Sequence, residues 1–300
     1  MAASGTSPRV AVVTDSTAGL ADARLSDDFQ IVPLVVQRGG TEFRENVDIT
    51  AAEVLEALQA GEVLTTSRPS PAEFTRIYAE LAASGYESAV SIHISAQLSG
   101  TYEAAVAAAK TAPIPVEVVD SQNAGMVLGF GANAAREAIE NARGDLTPHQ
   151  IAHQAATTAI ATMERGRVLF YVDTLEFLHR GGRIGSVSTL LGTALAVKPL
   201  LTVHDGLIEL SEKVRTRRRA LERLVARSIN SGESILDAAA AVDVAVQHLG
   251  APRAGEEALR QITEGLGARV RHQVLADAGA VLGAHVGPGV VAGIVTPVIG

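Results

Sequence analysis

Val10-Ala-Val-Val13, followed at once by Thr14-Asp-Ser-Thr17, is the stretch on which the fold turns: an unbroken apolar run that ends in hydroxyls and one carboxylate. Such a run, with no polar alternation, is the pattern of a strand buried on both faces, and strands of that kind belong to parallel sheets covered by helices. The pattern returns at Ile31–Val36, Ala89–Ile94 and Val116–Val119, with longer amphipathic stretches between. Helix starts are marked at Thr50-Ala-Ala-Glu53, Ser70-Pro-Ala-Glu73 and Thr147-Pro-His-Gln150, each with a capping hydroxyl and an acceptor three residues on. In the last two, proline takes the first helical position, where its missing N–H costs nothing. Strands alternating with helices predict an α/β fold with a parallel sheet.

From Val168 the pattern changes. A strand to Val172, a short helix, a break at Gly181-Gly182 and a small-residue helix over about Ser186–Val197 are followed by a hairpin, Pro199–Val203 and Leu207–Val214, around His204-Asp-Gly206. A basic helix, a strand over Val242–His248, a helix from about Ala254 and strands near Arg269–Leu275 and after Val281 complete the reading. The change predicts two domains: residues 1–160 as a parallel-sheet α/β/α sandwich, and residues 161–300 as a mixed-sheet α/β domain. The final stretch, Gly279–Gly300, has no charged residue but contains six Gly and two Pro. Gly287-Pro-Gly289 at its centre breaks a membrane helix, so two short buried strands around a turn are expected there.

The chain has 300 residues, is 47% hydrophobic and only 3% aromatic, with no Trp, so an internal pocket has aliphatic walls. Its net charge of −8 argues against nucleic acid. The absence of Cys removes disulfides, thiolate metal sites and thiol nucleophiles, and Met1–Pro8 has no signal-peptide core. A cytoplasmic location is expected.

Ligands of parallel sheets bind beyond the C-terminal strand ends, and hydroxyl residues gather at those positions: Thr14–Thr17, Thr65-Thr-Ser67, Ser95, Ser99-Gly-Thr101 and Asp120-Ser121. Each alone reads as a turn or a helix cap; together they suit a small anionic group. Other patterns fail. Gly129-Phe-Gly-Ala-Asn-Ala134 sits too far past its strand for a dinucleotide loop, and His149 and His153 have no third partner for a metal. No metal site and no cofactor are expected.

Taken in order, Thr14-Asp-Ser-Thr17, Thr66-Ser-Arg-Pro-Ser70, Leu98-Ser-Gly-Thr-Tyr102, Asp120-Ser121, Leu175-Glu-Phe-Leu-His-Arg-Gly-Gly-Arg-Ile184 and Gly287-Pro-Gly289 resemble the successive signature blocks of the DegV family. That resemblance implies a long-chain fatty acid of the palmitate or oleate class held between the two domains, carboxylate in the first and tail in the second. It implies a non-catalytic lipid-carrying subunit that presents the carboxylate to an ATP-dependent fatty-acid kinase and then carries the acyl phosphate. It assigns Thr66, Ser67, Ser99, Gly100, Thr101 and His285 to the head group, with Asp15, Ser16 and Ser121 as secondary candidates. Arg68 departs from the glutamine common in the family.

Two further readings stay open. Ser99 with His285, oriented by Asp15 or Asp120, is the residue set of a serine hydrolase or acyltransferase. Glu209–Arg227 gathers seven Lys or Arg against three Glu, densest over Lys213–Arg219. Such a run is most often a solvated helix face; with Arg183, the residues Arg215, Arg217, Arg218 and Arg219 also suit docking of an acidic partner, and a nucleic-acid regulator comes third. Transient contact with a membrane surface is compatible with a lipid carrier.

Overall fold

The computed structural model describes residues 9–20, 28–190 and 198–299. The first half contains β1 (Val10–Asp15), β2 (Phe29–Val32), β3 (Val35–Arg38), β4 (Thr41–Arg44), α1 (Ala51–Gln59), β5 (Leu64–Ser67), α2 (Pro71–Ala83), β6 (Ser88–His93), α3 (Thr101–Ala109), β7 (Val116–Asp120), α4 (Met126–Glu140) and α5 (Pro148–Arg165). The second contains β8 (Arg167–Tyr171), α6 (Glu176–Arg180), β9 (Lys198–His204), β10 (Leu207–Val214), α7 (Arg217–Leu236), β11 (Val242–His248), α8 (Pro252–Leu266), β12 (Val270–Asp277), α9 (Ala280–Val286) and β13 (Val291–Pro297).

The first sheet is parallel, in the order β2-β1-β6-β7. All six residues of β1 and of β6 are buried, as the unbroken apolar runs require. Ala11, Val13 and Ala89 pack on Phe74, Ile77 and Tyr78 of α2 and on the alanines of α3. Val12, Val90 and Ile92 face the opposite way, onto Met126 and Phe130 of α4 and Ala155 and Met163 of α5. The second sheet is mixed, in the order β10-β9-β8-β13-β11-β12, with only β11 and β12 parallel. Leu169, Tyr171, Val244 and Val295 pack beneath α7 and α8. Val168, Phe170 and Ile294 turn toward the first half and share one core with α4 and α5. Those two helices are thus a common layer between the sheets, and residue 160 falls within the last turns of α5.

Several local expectations hold for physical reasons. Thr50 and Thr147 make complete capping boxes with Glu53 and Gln150. The hairpin turns at Asp205 (φ 48°) and Gly206 (φ 78°), the pair of left-handed residues a two-residue turn needs. Gly129 and Gly131 lie inside α4, so no dinucleotide loop forms there.

Others need correction. Ile31–Val36 is not one strand: it divides at Pro33-Leu34, and the chain leaves the parallel sheet for a separate antiparallel sheet, β4-β3-β5. Proline cannot donate to a ladder, and the apolar run concealed that break. Thr65-Thr66-Ser67 is accordingly part of a strand and not a loop at the edge of the parallel sheet. Gly279–Gly300 is not two strands: α9 precedes the Gly287-Pro-Gly289 turn and β13 follows it. A short apolar run reads equally as strand or helix, and here Gly279 and Gly287, both at positive φ, bound a helix. The Ser186–Val197 helix is replaced at its start by a 3-10 turn over Gly185–Leu190, and the rest of that reading, residues 191–197, lies outside the described residues. The stretch Met1–Pro8 also lies outside them.

Candidate functional site

β5 carries Thr66 and Ser67, the loop between β6 and α3 carries Ser99, and α9 carries His285; all four line one cavity between the sheets. His285 Nε2 lies 2.7 Å from Thr66 Oγ1, and Ser99 Oγ lies 2.8 Å from Thr101 Oγ1. Gly100 and Thr101 start α3 and stand behind Ser99 instead of lining the wall. Arg68, Arg183 and Gln247 also line it, and the remaining wall is mostly aliphatic: Leu34, Ile94 and Leu98 come from the first half, Val168, Val203 and Ile208 from the second sheet, and Val281, Leu282 and Val286 from α9, with the Phe170 ring among them. The cavity opens into a cleft whose non-protein space, open solvent included, totals about 910 Å³.

The polar groups form a contiguous cluster. Arg183 donates from Nε to Leu98 O at 3.0 Å and from a terminal nitrogen to Gly181 O at 2.6 Å, which ties the Ser99 loop to the Gly-Gly turn. Arg68 lies against Gly100, where an added Cβ would stand 2.3 Å from its guanidinium. Gly181 makes room for the histidine: a Cβ there would stand 2.1 Å from His285 Nδ1. Arg180-Gly-Gly-Arg183 is therefore the end of α6 shaped around an imidazole. Burial, and then the charge of Arg183, push His285 down to about 4, so its imidazole is neutral at pH 7. Its Nδ1 has no hydrogen-bond partner among the described residues. An arriving carboxylate acts in the opposite direction and favours protonation.

Asp15, Ser16 and Ser121 do not line this cavity. Asp15 is fully buried and accepts from Thr17 N, Thr17 Oγ1 and Ile94 N, with His93 Nδ1 at 3.2 Å. His93 Nε2 meets Ser91 Oγ at 2.7 Å, and Ser91 meets Tyr78 OH at 2.9 Å. This is the outline of a serine relay, but every member is sealed in the core of the first sandwich. Ser121 closes a local turn onto Asn123. No acid among the described residues orients His285: Asp15 is committed to His93, and Asp120 accepts from Ala96 N and Gln122 N.

The basic run is largely paired. Arg217 meets Asp173 at 2.7 Å and lies over the Tyr171 ring; Arg218 and Arg219 both meet Glu222. Arg215 is exposed. His149 and His153 both face Glu117, and no set of metal-ligating side chains occurs among the described residues.

Glu45 was not singled out by its sequence context, yet it holds the site together. Only 1% exposed, it accepts from Ser16 Oγ at 2.5 Å and from Val281 N at 2.9 Å, and so joins the end of β1 to the start of the helix that carries His285. Burial outweighs these bonds, and with a small contribution from Asp15 pushes its carboxyl up to about 7 from 4.5. A carboxyl held above its unfolded value contributes stability that is complete below 4.5 and lost as pH rises through about 7. His285, held below 6.5, contributes stability above that value and loses it as pH falls through about 4. Subtracting the stability of Glu45→Gln from that of the wild type isolates the carboxyl. The difference should decline from about pH 4.5 to about pH 7, by up to roughly 3 kcal/mol in denaturant melts. A flat difference contradicts this assignment.

A family model described as "Uncharacterised protein, DegV family" matches residues 9–297. A DegV domain-containing protein of Streptomyces coelicolor is 44% identical over 292 residues, covering 97% of this chain and 99% of that protein. Among solved structures, the chain is similar to a fatty-acid-binding DegV family protein from Thermus thermophilus, with a TM-score of 0.84 and 31% identity over 96% of this chain and 99% of the other. It is also similar to DegV, a fatty acid binding protein from Bacillus subtilis, with a TM-score of 0.82 and 29% identity over 97% and 100% of the two chains.

Proposed function

The chain belongs to the DegV family, and on that premise we propose that it binds one long-chain fatty acid of the palmitate or oleate class in the cavity between its sheets. The observation that carries this reading is the division of the cavity wall: Thr66, Ser67, Ser99 and His285 form one polar cluster, and most of the rest is aliphatic. Hydroxyls, a histidine and the nearby Arg183 suit a carboxylate, whose charge strengthens each hydrogen bond it accepts. The tail supplies most of the affinity, since each buried CH₂ contributes about 0.8 kcal/mol and a 16-carbon chain gains on the order of 10 kcal/mol before ordering costs.

The protein acts as a carrier in the cytoplasm and presents the carboxylate to a separate ATP-dependent kinase. Two observations support a non-catalytic role: His285 Nε2 is engaged by Thr66, and the acids that a hydrolase would use are bonded elsewhere. Arg183 beside the polar cluster, with Arg215 and Arg217–Arg219 on the second domain, forms the docking face in this reading. No helix among the described residues is long and apolar enough to cross a membrane.

The test has two arms on the purified chain. Oleate and palmitate titrations should each saturate at one per chain, and Ser99→Ala or His285→Ala should weaken them by about ten- to a hundredfold, the value of one hydrogen bond to a charged acceptor. A serine-directed phosphonate should leave Ser99 unmodified. Stoichiometric labelling with turnover of acyl esters instead makes the protein a hydrolase. Reversing charge at Arg218 and Arg219 should slow phosphorylation of the bound acid by the kinase at low salt without changing oleate affinity; an unchanged rate removes the docking face.

A further inference from the structure

Beyond the paired Arg217–Arg219, helix α7 continues to Arg223 and Arg227, and across a surface groove from these stand Arg165, at the end of α5, and Arg167, at the start of β8. Ser231 and Ser234 of α7 also line it, and among the described residues no carboxylate or aromatic ring does. Among the described residues Glu212 on β10 is the one acid bonded to any of the four: it holds Arg223 through contacts of 2.9 to 3.1 Å and reaches Arg227 only at 3.7 Å. Arg167 donates to the carbonyls of Glu164 and Gly166, and Arg165 has no ion pair among the described residues. Two of the four guanidiniums thus share one carboxylate and the other two meet none among the described residues, on a protein whose net charge is −8. Cations gathered in this way repel one another unless an anion joins them.

The groove is separate from the fatty-acid cavity. It lies along α7, which packs on Leu169 and Tyr171, while Val168 and Phe170 on the other face of β8 line the cavity. We propose that this groove is a second ligand site, specific for a phosphoryl-bearing anion. Planar guanidinium forks with hydroxyls beside them are the donor set that matches the oxygens of a phosphate, and arginine binds such groups in two-point fashion. With no ring for a base to stack on, recognition rests on the phosphoryl group alone. That chemistry is shared by a free pyrophosphate and by the phosphodiester head group of an anionic lipid.

The test uses the full chain with two probes. Inorganic pyrophosphate is titrated calorimetrically at about 0.15 M salt, where long-range attraction is largely screened and a built site still binds. Flotation compares vesicles of phosphatidylcholine alone with vesicles containing phosphatidylglycerol. The wild type should bind at least one probe saturably; pyrophosphate alone identifies a soluble ligand, and flotation with anionic vesicles alone identifies a lipid head group. Arg165→Glu with Arg227→Glu should weaken that binding at least tenfold while oleate uptake, which also reports an intact fold, stays unchanged. Ser231→Ala with Ser234→Ala, which leaves the charge as it is, should weaken it less. Absence of saturable binding to both probes, or equal binding by the charge-reversed chain, overturns the proposal.

Discussion

Asp15→Ala is expected to cost the fold about 3 to 5 kcal/mol, the usual consequence of leaving several buried hydrogen-bonding groups without their shared partner. The carboxylate is fully buried and collects Thr17 N, Thr17 Oγ1, Ile94 N and His93 Nδ1. Alanine leaves two backbone N–H groups, the Thr17 hydroxyl and an imidazole nitrogen without this partner in the buried core. In a thermal melt the midpoint should fall by on the order of 10 °C. Below that midpoint the variant should still take up oleate, because Asp15 does not line the cavity. A variant of unchanged stability that has lost oleate affinity shows that Asp15 belongs to the head group, as its place after β1 first suggested.

The second large effect is expected at Ala292, on the central strand β13. Its neighbours Val291 and Val295 pack beneath α7 and α8, and a Cβ at Gly293 would meet Ser228 and Leu224 of α7, so Ala292 points the opposite way, into the cavity wall. Ala292→Phe puts a ring into the space of the acyl tail. Displacing about four methylenes at 0.8 kcal/mol each removes roughly 3 kcal/mol, more than a hundredfold in affinity. The fold should survive, since the ring enters an existing cavity and not a filled core. Calorimetric titration with oleate measures the loss, and a circular-dichroism melt checks the fold. Normal oleate affinity in a folded Ala292→Phe chain places the tail elsewhere.

What could be read from the sequence was set by local chemistry. Val242–His248 was bounded correctly because its apolar centre, Val244-Ala-Val246, is followed by a clear break at Gly250-Ala-Pro252, and the Asp205-Gly206 hairpin because its turn demands left-handed residues. Ile31–Val36 misled because apolar character carries no record of which sheet a residue joins. Ala280–Val286 misled because its cap glycines were read as turn residues of strands. Within the cavity, Thr66, Ser67, Ser99 and His285 were legible through motif order, although Thr66 and His285, 219 positions apart, meet only because α9 packs against β5. Glu45 was invisible: an acid between an arginine and an asparagine looks like surface until the fold closes over it. The same holds for His93 and Ser91, whose neighbours in sequence are apolar strand residues and whose partners, Asp15 and Tyr78, come from other elements. Long-range pairing of this kind depends on which faces meet, and no local pattern encodes it.

The central claim is that the cavity between the two sheets holds one fatty acid. Denaturing extraction of the chain purified from a bacterial host, with the lipid quantified by mass spectrometry against protein, tests it most directly, with Ala292→Phe purified in parallel. The account predicts one saturated or monounsaturated fatty acid per wild-type chain and a small fraction of that in the variant. Lipid in equal amounts in both proteins, or none in the wild type together with no uptake of added palmitate or oleate, contradicts it.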